Sequence, residues 1–248
     1  LGGPPHTRMD GAHLVSGGTN GLGLLTGRWV AQRGASAGVL SSRSGRLADG
    51  TASEWEQLVA SGCVAMVVQC DTAEVSHVRR MVASAHAVEL LSGVWHSAGV
   101  VADGLLAKQS AWSLARVYAP KVHGGWSLHS SSMCTPLMAS VLFSSIASVF
   151  GGAGQVNYSA ANQCLDVLAS HGRMQGVCSL AIQWGAWADV GMASRGAASD
   201  RVAAMEATSG LGRISVPMGL GALQSAVFGC APAVLAMLPV QWHRLLSA

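Results

Sequence analysis

Charge is scarce in this sequence: of 248 residues only 11% are charged, against 50% hydrophobic. Fifteen Lys plus Arg oppose 12 Asp plus Glu, a formal net charge of +3, and no basic run is present that could follow a phosphate backbone. A nucleic-acid partner is therefore not expected. With so few charges, the surface must be largely Ala, Gly, Ser and backbone, or must face another protein. The stretch from Ile214 to Trp242 has no charge at all, which by itself resembles a membrane span. Pro217, Pro232 and Pro239, with Gly219, Gly221 and Gly229, cut it into pieces too short to cross a bilayer, so it reads as a buried helix plus a strand, with no membrane partner. The six cysteines (Cys63, Cys70, Cys134, Cys164, Cys178, Cys230) form no C-x-x-C pair, and no His stands at zinc-ligand spacing from them. Neither a metal site nor a disulfide framework is expected, and a reducing, cytoplasmic compartment fits. The opening LGGPPHTRMDG lacks the apolar core of a signal peptide. Residues 1–10 read as a linker and 11–248 as one domain, with no internal repeat and no heptad seam.

What is present is a rhythm. AHLVS, a glycine turn, the amphipathic LGLLTGRWVAQRG and the apolar AGVLS follow one another in a strand-helix-strand order. CVAMVVQC and GVWHSAG read as strands around the helix VSHVRRMVASAHAVEL, and the segment from there to about His129 reads as helix. LMASVLFSS, CSLAIQWG and AVLAML complete about seven strands, separated by the helices VNYSAANQCLDVLASHG and VPMGLGALQSAVFG. Alternation of this kind implies an α/β fold with a doubly wound parallel sheet, Rossmann-like in layout. Gly191 to Gly212 reads as a mobile lid or as a plain surface loop.

Directly after the first strand comes SGGTNGLG, residues 16–23. Glycine at 17, 21 and 23 permits a tight turn, a close backbone approach to a pyrophosphate and close packing of the following helix, whose N-terminus favours negative charge. The spacing differs from G-x-G-x-x-G, so its place between strand and helix carries the reading. Where an enzyme using NAD would place an acid for the ribose hydroxyls, the chain has Ser42 and Arg43, the latter 20 residues after Gly23. A cation there suits a 2′-phosphate, hence NADP(H); the alternative is a solvated loop arginine. Asp71 in QCDT either accepts a hydrogen bond from an adenine amine or caps the next helix.

In FSSIASVFGGAGQVNYSAAN, Ser145 falls at a strand end and Tyr158 near a helix start. Asn162, four residues on, shares the helix face of Tyr158. Reduction of a carbonyl needs a donor that protonates the developing alkoxide and groups that hold the oxygen, and a tyrosine serves only if a nearby cation lowers its pKa from about 10. Lys121 is one of two lysines, with Lys108, and sits in an apolar stretch. Read from composition, a core tyrosine and a snorkelling lysine remain open alternatives.

Taken together, SGGTNGLG, SSRSG, HSAGVVADGLL, APKVHGGWSLH, FSSIAS, YSAAN, QWGAWADVGMA and LPVQWHRL resemble, from about Gly11 to Leu246, the ketoreductase domains of modular polyketide synthases and animal-type fatty acid synthases, within the short-chain dehydrogenase/reductase superfamily. The superfamily pattern Y-x-x-x-K is here in the swapped form of the synthase domains, with Asn162 on the helix and Lys121 upstream. The resemblance implies Tyr158 as proton donor, Ser145 as carbonyl-orienting group, Lys121 as cation and ribose contact, and Asn162 as organiser of the proton relay. It implies NADPH contacts at Gly17, Thr19, Asn20, Gly21, Leu22, Gly23, Ser42, Arg43, Asp71, Thr72, Ser97, Ala98, Gly99 and Gly185, and substrate guidance at Asp103, Phe150 and Met192. Asn20, Ser97 and Ala102 depart from the usual family residues without removing a catalytic group.

The implied function is reduction, by NADPH, of the β-keto group of an acyl thioester on an acyl carrier protein. In the family, Asp103 closing VAD marks a D-configured hydroxyl, while the position eight before Tyr158, Phe150, lacks the tryptophan of the opposite hand. Asp103 as an N-cap before GLLAKQ is the plainer reading. The implied partners are the carrier protein, a truncated Rossmann-like structural subdomain and neighbouring synthase domains. A catalytically silent scaffold domain and a free-standing dehydrogenase are the alternatives.

Overall fold

The computed structural model describes residues 8–191, 203, 206 and 210–247. Met192, and all of the Gly191–Gly212 stretch except residues 191, 203, 206 and 210–212, lie outside the described residues. Seven strands form one parallel sheet: β1 (Ala12–Ser16), β2 (Ala37–Ser42), β3 (Val64–Gln69), β4 (Leu91–His96), β5 (Ala139–Ser145), β6 (Ser179–Trp184) and β7 (Val234–Met237), in the order β3-β2-β1-β4-β5-β6-β7. Among the described residues the named helices are α1 (Gly21–Ala31), α2 (Ala52–Val59), α3 (Val75–Val88), α4 (Ala111–Tyr118), α5 (Gly124–Ser132), α6 (Ala147–Phe150), α7 (Val156–Met174), α8 (Val216–Phe228) and α9 (Trp242–Leu245).

The strands are apolar on both faces because both are covered. Val15, Val141, Phe143 and Ile182 join Leu24 and Trp29 of α1 and Leu223 of α8 in one core layer. Leu14, Val39 and Val94 pack against Val78 and Met81 of α3 and Leu128 of α5, and Leu142 and Ala181 pack against Leu165 and Leu168 of α7. Strand order reverses between β1 and β4, and at such a point the carboxyl ends of the strands diverge and leave a crevice. Ser16, His96, Ser145 and Trp184, the last residues of β1, β4, β5 and β6, all end on that edge.

Three features differ from the sequence reading. The 52–59 segment, for which no element is expected from the sequence, is α2; it buries Leu58 against α1 and is tied there by an Arg28–Glu54 ion pair of 2.7 Å. The segment leading to His129 is not one helix. A loop runs from Ser97 to Leu105, a short 3₁₀ turn follows at Leu106–Lys108, and α4 and α5 are separated by a π turn at Ala119–His123. Pro120 supplies the reason: it has no N–H to give to Arg116, so the chain cannot continue as a regular α-helix and widens by one residue. Met9, in the stretch read as a linker, is fully buried. Among the described residues no helix is long and apolar enough to cross a membrane.

Two histidines are built into this core as neutral rings. His96 Nε2 lies 3.1 Å from the Lys121 carbonyl, which can only accept, so Nδ1, 2.6 Å from Ser16 Oγ, receives the hydroxyl proton. His13 gives Nε2–H to the Met9 carbonyl and accepts from Trp95 Nε1 at 3.1 Å. Burial holds both at about 4, below the usual 6.5, with the Lys121 charge adding to the effect at His96. The unfolded chain therefore takes up protons as pH falls below about 6.5 while the folded chain does not, so stability is full above that pH and is lost toward pH 4, by about 3 kcal/mol for each ring. Urea midpoints measured from pH 7 to pH 4.5 are expected to fall steadily; a flat profile contradicts the neutral, buried imidazoles.

Candidate active site

The glycine turn after β1 is required by contact, not only by flexibility. A Cβ on Gly17, whose φ is +69°, would lie 2.8 Å from the backbone nitrogen of Ala98, and a Cβ on Gly23 would press into the Gly17 carbonyl. The turn leads into α1, whose N-cap Asn20 makes no side-chain cap, so the first N–H groups of the helix are available to an anion. Thr19 and Ala98 border the turn, and Leu22 reaches Gly191. Ser97 has a structural task there: its hydroxyl donates to the Ser16 carbonyl at 2.7 Å, joining the ends of β1 and β4.

Ser42 accepts a hydrogen bond from Gly45 N at 3.2 Å, and Arg43 beside it is exposed. Asp71 does not cap α3, whose N-cap is Glu74; its Oδ1 accepts from Ala73 N at 3.0 Å and closes the preceding turn. Thr72 is buried against Gly124. Gly185 lies against Leu238 next to β7, again at the carboxyl edge.

The four residues expected to be catalytic converge. Lys121, in the π turn, is 3% exposed; its Nζ donates to the Phe143 carbonyl at 2.9 Å and lies 5.3 Å from the centre of the Tyr158 ring. Gly99 leaves room for the lysine stem, since a Cβ there would meet Lys121 Cε at 2.9 Å. Asn162 is fully buried, donates Nδ2 to the Tyr158 carbonyl at 2.8 Å, and leaves Oδ1 without a partner. Ser144 turns toward α7, donating to the Asn162 carbonyl, whereas Ser145 is the serine whose side chain reaches the Tyr158 phenol.

Burial dominates the electrostatics of the phenol. Burial pushes Tyr158 above its usual value; Asn162 and Ser145 pull it back, and Asp103 raises it. Burial brings Lys121 down to about 7, with Asp166 opposing. Across neutral pH the phenol is thus protonated, the form needed to give a proton, and the charge that titrates near neutrality belongs to the lysine.

Asp103 is not a helix N-cap. The 3₁₀ turn is preceded by Leu105, and Asp103 instead accepts from Gln155 Nε2 at 3.3 Å. Phe150 is exposed at the end of α6. Sequence reasoning missed the residue that fastens this loop: Asn157, 1% exposed, donates Nδ2 to the Ala102 carbonyl at 2.9 Å and to Gln109 Oε1 at 3.1 Å, while its Oδ1 accepts from Tyr158 N at 2.7 Å. Its partners lie 48 and 55 positions away, so no local spacing signals it.

A family model described as the KR domain matches residues 11–189. The chain belongs to the polyketide synthase ketoreductase family. It is 37% identical over 247 residues to polyketide synthase GfsB of Streptomyces halstedii, covering 100% of this chain and 4% of that protein. It is 39% identical over 243 residues to the spectinabilin polyketide synthase system protein NorB of Streptomyces orinoci, covering 97% and 11%. Among solved structures, an A-type ketoreductase from a modular polyketide synthase superposes with a TM-score of 0.89 at 32% identity, covering 99% of this chain and 52% of that one. The first ketoreductase of the tylosin polyketide synthase gives 0.86 at 32%, covering 97% and 51%. The chain therefore spans a small fraction of these synthases and about half of the solved ketoreductases. The glycine cradle and the open N-terminus of α1 fit the phosphates of a dinucleotide cofactor.

Asn157→Ala removes two anchors of the 102–109 loop and one contact to the Tyr158 backbone. A loss of about 1 to 3 kcal/mol is expected, with faster amide exchange confined to that loop and the start of α7. Unchanged exchange there means the loop is held by other contacts.

Proposed function

We propose that this ketoreductase domain reduces the β-keto group of an acyl thioester carried by an acyl carrier protein, using NADPH and giving a D-configured alcohol, as one step of polyketide assembly. The observation that carries the reading is the convergence of Tyr158, Ser145, Asn162 and the buried Lys121 at the carboxyl edge of the sheet beside the Gly17–Gly23 cradle. Gly17, Thr19, Asn20, Gly21, Leu22 and Gly23 would hold the pyrophosphate, Ser42 and Arg43 the 2′-phosphate, Asp71 and Thr72 the adenine end, and Ser97, Ala98, Gly99 and Gly185 the nicotinamide end. When bound, the cofactor supplies the hydride.

The chain's own part is positioning and proton supply. Ser145 donates a hydrogen bond to the ketone oxygen and fixes it. As the carbon gains its new C–H bond, the C=O π pair moves onto oxygen, and Tyr158 gives its phenolic proton to form the hydroxyl. The Lys121 charge stabilises the phenolate left behind, and Asn162, with an unpaired buried Oδ1, organises its reprotonation. The hand of the product depends on which way round the carrier arm presents the ketone. Support for D is the position of Asp103, fastened to α7 through Gln155 at the cleft rim, with Phe150 in place of a tryptophan. We place the domain beside a structural subdomain and neighbouring synthase domains in the cytoplasm.

With NADPH and a short β-ketoacyl thioester, turnover is expected, and chiral chromatography is expected to show mainly the D alcohol. Tyr158→Phe removes most of the turnover while leaving cofactor affinity nearly intact, because the hydroxyl acts as charge develops. Absence of turnover in the parent chain supports a silent scaffold domain, and a mainly L product overturns the guidance assigned to Asp103.

Arg43→Ala separately tests the cofactor. It is expected to weaken NADPH far more than NADH, since one charge-assisted phosphate contact contributes about 1.5 to 3 kcal/mol. Equal weakening in binding titrations makes Arg43 a plain surface arginine.

A further inference from the structure

The buried amine of Lys121 is incompletely accounted for by the residues named above. An ammonium has three donors, and among the described residues Lys121 has one hydrogen-bond acceptor, the Phe143 carbonyl, and no carboxylate at ion-pair distance. A charge so buried is costly unless an opposite charge faces it. On α7, Tyr158, Asn162 and Asp166 follow at intervals of four and so share one face of the helix. Asp166 is 3% exposed. Its Oδ2 accepts from Gln183 Nε2 at 2.8 Å, and its Oδ1 is buried without a partner. The same Gln183 amide donates to Ser148 Oγ at 3.1 Å, and Ser148 donates to the Ser145 carbonyl at 2.8 Å. A relay of three hydrogen bonds thus runs from the backbone of Ser145 to a buried carboxylate on the face of α7 that carries Tyr158 and Asn162.

We propose that Asp166 is a positioning residue: its carboxylate, oriented by Gln183 and Ser148, is the buried counter-charge that holds Lys121 as an ammonium beside Tyr158. The inference rests on the reductase reading only for its effect on rate. The other titratable groups around the amine do not supply that charge. His96 on β4 is a neutral ring whose Nε2–H is given to the Lys121 carbonyl, Tyr158 is a neutral phenol, and Asp103 is exposed on the loop after β4 and acts on Tyr158. His123, in the same π turn, is exposed. Of these, Asp166 alone opposes the effect of burial on the lysine, which stands at about 7.

The chain has two lysines, which makes the test direct. With ¹³C-labelled lysine, the two Cε signals of the 248-residue chain are assigned through Lys108→Arg and followed against pH. Lys121 is expected to titrate near 7. In Asp166→Asn its midpoint is expected about one unit lower, a tenfold loss of ammonium over neutral amine, with Lys108 unmoved. Asp166→Glu is expected to restore most of the shift. Gln183→Met, which keeps the charge and removes its anchor, is expected to move the midpoint in the same direction by less, and serves if Asp166→Asn does not fold. The alkaline fall of kcat is expected to move down with the lysine midpoint. A Lys121 midpoint equal to that of the parent in a folded Asp166→Asn, or in Gln183→Met where the first does not fold, overturns the proposal. A parent chain without turnover refutes the reductase reading and leaves the lysine titration to decide this one.

Discussion

Removing a lysine amine from water with, among the described residues, one backbone carbonyl as its hydrogen-bond acceptor is among the least favourable arrangements a small domain can contain, and much of the cleft is organised around that one group. The Phe143 carbonyl takes one donor, the Tyr158 ring covers a second direction, and Gly99 is held to hydrogen because the lysine stem fills the space a side chain would need. His96 is kept neutral partly by the same charge, and in that state its two nitrogens join the end of β1 to the π turn through Ser16 and the Lys121 carbonyl. A protonated ring would have no acceptor to offer Ser16.

The swapped arrangement of lysine and asparagine has a structural consequence. With Asn162 on the helix, the amine must arrive from another element, and it does so from a π turn that Pro120 imposes between α4 and α5. The turn orients Lys121 inward although its neighbour His123 is exposed. Approach from outside α7 also leaves the inner face of that helix free to carry Asp166, tied to β6 and to the end of β5 by side-chain hydrogen bonds. The serine, the tyrosine and the lysine are thus held by elements that are each fixed to the others by buried polar contacts, which lose little entropy when a substrate is ordered against them.

The low charge of the chain has a counterpart on the surface. Leu105, Leu106 and Trp112 are exposed around the loop that Asn157 fastens, and Trp126, Val167 and Met174 are exposed around a cavity of 540 Å³ between α5, α7, β6 and β7, into which Asp166 and Gln183 also face.

The seven strands, the apolar runs covered on both sides, the glycine turn and the face shared by Tyr158 and Asn162 were all legible in the sequence, because each depends on continuous apolar runs, on a helical period of about four residues or on steric rules local to the chain. The resemblance to ketoreductases named Ser145 and Lys121 for the same cleft, but it is the fold that closes the 13- and 37-residue separations to Tyr158. What no spacing displayed were the roles of Asn157, Gln183 and Asp166, the π turn that buries Lys121, the structural use of the Ser97 hydroxyl, and the side chain to which Asp103 is bound. Each of these depends on how strands and helices distant in sequence come to lie against one another, and burial together with the partner across the gap, not residue type, decides whether a polar group there is a charge, a donor or a brace.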